Sequence, residues 1–295
     1  PTASILVKEL ASYYGLNEDQ VFVGVGSDDV LAMSFLTFFN SDKPVLFPDV
    51  TYSFYKVWAD LFKVPFETPV LKEDFTIDVK DYEKENGGVI FPNPNAPTGV
   101  YMPLDQVEEI LKANQDVVVI VDEAYVDFAG PSALELLDKY ENLLVVQTFS
   151  KSRSMAGMRI GFAMGHPDLI RALNDVKYSY NSYTMNLPSL LAGVEAVKDK
   201  EYFEKTIEKI VATREHAKKR LTELGFTFPN SQSNFIFASH KSVPAEKIFE
   251  ALKKEQIYVR YFKTPGLDNS LRISIGTDEE MDTLFRFLEA YLPNA

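Results

Sequence analysis

The chain has 295 residues, 46% of them hydrophobic and 25% charged, enough for one large α/β unit with a smaller one beside it. A formal net charge of −13 argues against nucleic acid and anionic membrane surfaces as partners, and no stretch reaches the ~20 consecutive apolar residues of a bilayer span. With no cysteine there are no disulfides, thiol nucleophiles or cysteine zinc sites, which fits a reducing, cytoplasmic setting.

The chain opens on Pro1-Thr2-Ala3, without methionine, and runs straight into an amphipathic helix, Ile5–Tyr14, so an N-terminal segment is expected to be missing before it. Short apolar runs follow at Val21–Val25, Pro44–Phe47, Gly88–Phe91, Val117–Val121, Leu143–Gln147 and Ile160–Met164. Helical patterns lie between several of them, at Asp28–Phe39, Leu104–Ala113 and Pro131–Lys139. Strand and helix in alternation predict a mostly parallel sheet covered on both faces. The unbroken Val117-Val118-Val119-Ile120-Val121 reads as a central strand buried on both sides. Gly165-His166-Pro167-Asp168 reads as a strand-to-helix turn, and all three histidines, His166, His216 and His240, read as surface or turn residues without metal-ligand spacing.

From about Glu201 the pattern changes. A long charged helix, Tyr202–Leu224, is expected to stop at Gly225. Beyond it come a strand at Ser233–Ala238, a helix at Ala245–Lys254, strands at Ile257–Tyr261 and Ser270–Ile275, and a closing helix at Glu279–Tyr291. The expectation is a large domain over 1–200 and a smaller α+β domain over 201–295.

In a parallel α/β sheet, ligands bind beyond the carboxyl ends of the strands. There the sequence delivers Gly26-Ser27-Asp28 at a helix start, Asn93-Pro94-Asn95-Ala96-Pro97-Thr98-Gly99, Asp122-Glu123-Ala124-Tyr125, and Thr148-Phe149-Ser150-Lys151 followed by Arg159. Singly, each has an ordinary explanation: an acid after a strand caps a helix, a loop lysine is solvated, and Asn-Pro and Pro-Thr-Gly make turns. Jointly they suit pyridoxal phosphate (PLP), which needs an amine for its Schiff base, a carboxylate for its pyridine nitrogen and an anion site for its phosphate. Lys151 supplies the amine, Asp122 faces the ring nitrogen and Tyr125 the ring oxygen. Gly26-Ser27-Asp28 offers free N–H groups to the phosphate, with Ser150 and Arg159 completing that site.

These segments, with Gly157-Met158-Arg159, resemble the fold-type I PLP-dependent aminotransferases of class I/II, and most of all the histidinol-phosphate aminotransferase family. The likeness runs from Gly24-Val25-Gly26-Ser27-Asp28-Asp29 to Leu271-Arg272-Ile273-Ser274-Ile275-Gly276. It implies transamination of histidinol phosphate with 2-oxoglutarate in a cytoplasmic homodimer. It further implies Tyr52 stacked on the ring, Thr148 near the cofactor, Arg272 on a substrate carboxylate, Arg260 on the substrate phosphate, and Asn234 near the active site. Two departures stand out. The family has an asparagine immediately before Pro97 that bonds the ring oxygen, where this chain has Ala96, leaving Asn95 or Tyr125 for that oxygen. The family's N-terminal arm, whose tyrosine reaches the partner's cofactor phosphate, is not seen before Pro1.

Rival readings are an aromatic aminotransferase, a phosphothreonine-type decarboxylase, and a non-catalytic PLP-binding regulatory module. A nucleotide-binding protein would need a Gly-x-Gly-x-x-Gly or phosphate-loop lysine motif, which the chain lacks.

Overall fold

The computed structural model describes residues 2–295. Its elements run α1 (Ser4–Tyr14), β1 (Val21–Gly24), α2 (Ser27–Phe38), β2 (Val45–Leu46), α3 (Phe54–Phe62), β3 (Phe66–Glu67), β4 (Gly88–Pro92), α4 (Leu104–Ala113), β5 (Val119–Asp122), β6 (Leu143–Thr148), β7 (Gly161–Gly165), α5 (Pro167–Tyr180), α6 (Leu187–Lys198), α7 (Lys200–Glu223), β8 (Phe226–Thr227), β9 (Phe235–His240), α8 (Ala245–Lys254), β10 (Arg260–Tyr261), β11 (Leu271–Ser274) and α9 (Asp278–Tyr291).

Seven strands form one sheet in the order β1-β7-β6-β5-β4-β2-β3. The pairs from β3 through β6 are parallel, and β7 runs antiparallel to both its neighbours. Every residue of β4, β5 and β6 is buried, because helices cover both faces. Successive side chains alternate between those faces. Val89, Phe91, Val119, Val121, Leu143 and Val145 join one core with α1 and α4. Ile90, Ile120, Leu144 and Val146 join the other with α2, α3 and α5. An all-apolar strand is what such a sandwiched position requires.

A second, antiparallel sheet, β10-β11-β9-β8, has its own core with Ile248 and Leu252 of α8 and Met281, Leu284, Phe285 and Leu288 of α9. The long α7 serves both parts. Ile207 and Ile210 lie against a small cluster of Ala96, Tyr125, Phe128 and Phe235, while Ala217 and Leu221 enter the second core. Chain crossings tie the parts together, with Gln232 N donating to Gly99 O at 2.7 Å.

The structure departs from the sequence expectations in several places. The Pro131–Lys139 helix is only a 3₁₀ turn, Ala133–Leu136. Ser132 Oγ and Ala133 N both donate to the buried Glu123 (2.6 Å each), which pins this segment to the sheet and stops it coiling further. Helices α3 and α6 and strands β3 and β8 had no counterpart in the pattern, α5 starts at the expected strand-to-helix turn, and the expected strand at Ile257–Tyr261 shrinks to β10. His240 is buried, contrary to the surface or turn reading. Its Nδ1 accepts from Val243 N at 3.0 Å, and Nε2 lies 3.0 Å from Leu224 O, so the ring replaces water for the chain ends around β8. His166 does cap α5, and His216 is exposed.

Candidate active site

The carboxyl ends of β1, β4, β5 and β6 meet on one edge of the large sheet, and antiparallel β7 starts there. Asp122 is the last residue of β5, with 4% of its surface exposed. Its Oδ2 accepts the hydroxyl of Tyr55 at 2.8 Å, and its Oδ1 accepts the N–H of Ala124 at 3.2 Å. Burial pushes its carboxyl up to about 6, against the pull of the Tyr55 and Ala124 donors; Asp28 adds to the rise and Lys151 opposes it. The neighbouring Glu123 points to the opposite face, where Ser132, Ala133 N and Gln147 Nε2 bond it. Burial, partly offset by these donors, lifts it to about 7.

Lys151 follows β6. Its Nζ lies 5.3 Å from the centre of the Tyr125 ring, which packs edge-on against Phe235 at 5.1 Å. The loop beyond it is anchored where the Ser152 hydroxyl donates to buried Asp127. Among the described residues, the Tyr125 hydroxyl has no hydrogen-bond partner within the chain.

Beside Lys151 lies a cradle. Gly26 holds φ +89°, a conformation that favours glycine, and opens α2, whose first N–H groups have no intrahelical acceptor. A Cβ on Gly26 would overlap the Arg159 guanidinium, and one on Gly161 would overlap the backbone of Gly26 and Ser27. Arg159, itself left-handed at φ +53°, sends Nη1 to Ser150 Oγ at 3.5 Å and places Nη2 3.7 Å from Asp28 Oδ2. Thr148 Oγ1 accepts Ser150 N at 3.1 Å and stands 3.0 Å from Ser150 Oγ. Free helix N–H groups, hydroxyls and a guanidinium are the donors a phosphate requires. Tyr52 leans over this region, its hydroxyl bonded to Asp28 Oδ1 at 2.8 Å. A carboxylate, an amine and an anion cradle on one sheet edge fit pyridoxal phosphate.

Asn95 is placed differently. Its Nδ2 donates to Val50 O and Thr98 Oγ1, at 2.9 and 3.0 Å, leaving the buried Oδ1 without a partner. Only an acceptor is then free, and an acceptor does not hold a phenolic oxyanion.

The second sheet supplies two cations. Arg260 and Arg272 are directly paired across β10 and β11. Both guanidinium groups lie over Phe262, at 5.6 and 5.9 Å, and Arg272 also lies 5.1 Å from the centre of Phe235. Among the described residues neither has an ion-pair partner, and Arg272 Nε is buried without an acceptor. Arg272 thus reaches Tyr125 and Lys151 through Phe235. Asn234, half-buried beside Phe235, bonds Ile275 N through its backbone oxygen. Phe237, two residues along β9, meets Phe262 and also Phe75, which lies between β3 and β4 and is held at φ +64°.

Tyr55 escaped the sequence reading. An aromatic residue three places after Tyr52 reads as core, and only the fold shows its hydroxyl reaching across 67 residues to Asp122.

The aminotransferase class I and II family matches residues 3–288. The chain is 50% identical over 295 residues to the histidinol-phosphate aminotransferase of Brachyspira hyodysenteriae, covering 100% of this chain and 83% of that protein. It is 54% identical over 281 residues to that of Clostridium acetobutylicum, covering 95% and 80%. The crystal structure of histidinol-phosphate aminotransferase from Sinorhizobium meliloti, in complex with pyridoxal-5'-phosphate, superposes with a TM-score of 0.88 at 24% identity, over 99% of this chain and 82% of that one, and shares its fold. The chain is a PLP-dependent aminotransferase of fold type I, and it belongs to the histidinol-phosphate aminotransferase family.

Proposed function

We propose that this protein transfers the amino group of histidinol phosphate to 2-oxoglutarate. The observation that carries this reading is the unpaired arginine couple, Arg260 facing Arg272 across the strands and Arg272 standing across Phe235 from Tyr125 and Lys151. Such a couple suits a substrate with a phosphate in one half-reaction and a carboxylate in the other, and the names of the relatives at about half identity support the same choice.

Bound pyridoxal phosphate supplies an electron-withdrawing ring and a carbonyl carbon to which amines join. Asp122 would hold the proton on the ring nitrogen. The Tyr125 hydroxyl would hold the ring oxygen in place of the asparagine that Ala96 replaces, and Tyr52 would cover the ring. Ser27, Asp28, Ser150 and Arg159 would bind the phosphate, with Thr148 orienting Ser150. Lys151 Nζ would hold the cofactor at its carbonyl carbon and, as a free amine, would take the proton from the substrate's amine-bearing carbon. Arg272 grips a carboxylate and Arg260 the substrate phosphate, with Asn234 beside them. We assign cofactor binding to 1–200 and the substrate arginines to 201–295. We assign the protein to the cytoplasm as a homodimer; the exposed leucines of α6, Leu187 and Leu191, on a helix packed against α1 with its exposed Ile5, support the self-association.

The test is to mix the protein with PLP, histidinol phosphate and 2-oxoglutarate and to follow glutamate. Glutamate formation that needs the substrate's phosphate is expected. Equal rates with tyrosine would move the assignment to aromatic amino acids, release of carbon dioxide would make it a decarboxylase, and binding without turnover would make it a regulatory module.

A further inference from the structure

We propose that Tyr55 is a positioning residue that holds the Asp122 carboxylate in the orientation that receives the cofactor's ring nitrogen, a role that rests on the cofactor assignment above. Tyr55 is completely buried on α3, in a cage formed by Tyr52, Phe47, Phe35 and Trp58, whose ring centres lie 5.7 to 6.3 Å away. A phenylalanine would fill that cage without the cost of burying a hydroxyl. The hydroxyl has one partner, Asp122 Oδ2, at 2.8 Å. With Ala124 N on Oδ1, the two donors fix the plane of the carboxylate from opposite ends.

The comparison with Glu123 sharpens the point. Glu123 takes three donors from its own face of the sheet, as a structural acid does. Asp122 takes two, and one of them comes from a side chain whose ring also packs edge-on against Tyr52, the residue assigned to cover the cofactor. Tyr55 therefore touches both the acid beneath the ring nitrogen and the aromatic lid of the same site. The other charged groups acting on Asp122 are Asp28 on α2 and Lys151 beyond β6; neither donates a hydrogen bond to it. Tyr55 is the side-chain donor that keeps this carboxylate charged, and a charged carboxylate keeps the ring nitrogen protonated.

The experiment compares wild type, Tyr55→Phe, Asp122→Asn and the double variant. Cofactor affinity is read from quenching of Trp58, the single tryptophan, and the pH midpoint of the bound cofactor's visible absorbance is read by titration. Tyr55→Phe is expected to keep its fold by circular dichroism and to bind pyridoxal phosphate about 10- to 100-fold more weakly, the range for a hydrogen bond to a charged group. Its midpoint moves upward, because a proton drawn from the ring nitrogen to Asp122 removes a positive charge from the ring. In the Asp122→Asn background the same substitution leaves the midpoint where it is. An unchanged midpoint in Tyr55→Phe, or an equal shift in both backgrounds, overturns the role. A merely structural tyrosine would lower the melting temperature without moving the midpoint. Wild type that develops no visible absorbance with the cofactor would instead overturn the cofactor assignment itself.

Discussion

Arg260 and Arg272 face each other directly across two antiparallel strands and share one aromatic ring, Phe262. Like charges opposed on one sheet face repel, and among the described residues no carboxylate relieves them. An anionic substrate would relieve both. Arg260→Ala is expected to raise KM for the phosphorylated amine about 10- to 100-fold, the worth of a charge-assisted hydrogen bond, and to leave KM for 2-oxoglutarate little changed. Steady-state kinetics on each substrate separately checks this; an equal rise in both would place the phosphate elsewhere.

Lys151→Ala removes the amine assigned above to hold the cofactor and move the proton. Turnover should drop by about 10²- to 10⁴-fold or more, and the visible absorbance of the bound cofactor should disappear, while pyridoxal phosphate still binds through the cradle at Ser27, Ser150 and Arg159. Normal transamination by this variant would refute the role of Lys151.

Asp122 and Glu123 both have carboxyls raised by burial, to about 6 and about 7. The folded cofactor-free protein therefore binds more protons than the unfolded chain above about pH 4. Their contribution to stability is full below that point and is lost as pH climbs through about 6 and then about 7. The melting temperature of the cofactor-free protein should carry this downward component between about pH 4 and about pH 7, and Asp122→Asn should lessen the slope. Identical slopes in wild type and variant would contradict the burial account.

Gly161→Ala puts a methyl group onto the backbone of Gly26 and Ser27. Backbone cannot swing aside as a side chain can, so the cost should be about 1–3 kcal/mol or more, with cofactor affinity falling alongside. Equilibrium unfolding and cofactor titration measure the two effects; unaltered cofactor binding would mean that the cradle lies elsewhere.

Phe75 sits at φ +64° to press its ring against Phe237, which in turn supports Phe262. A bulky residue there stores about 1–3 kcal/mol of strain. Phe75→Gly should relieve the backbone yet raise substrate KM severalfold by loosening the support beneath the arginines, and leave cofactor affinity unchanged. Phe75→Ala, which keeps the unfavourable φ, should melt below Phe75→Gly. The opposite order of melting temperatures would remove the strain argument.

Asp122, Lys151 and the Gly26 helix start were legible because each follows an apolar run, and the parallel-sheet rule gathers such positions at one edge. Helix α3 was not legible, since Phe54–Phe62 is dense in aromatic residues that suit either periodicity. Without α3, the partnership of Tyr55 with Asp122 had no expression in the sequence. His240 was misread for a related reason: whether a lone histidine is buried is decided by chain segments far from it. Asn95 was legible as a turn former, but only the structure shows its amide committed to Val50 and Thr98.

The valine-rich heart of β5 carries a hidden burden. Because Val117 through Val121 are all apolar, sliding the strand by one place would bury the same greasy surface on both faces, so hydrophobicity cannot police its alignment. Such a slip would trade Asp122 for Glu123 at the cofactor edge. The polar triplet that seizes Glu123 (Ser132, the Ala133 amide and Gln147) therefore serves as the lock that tells this strand where to stop.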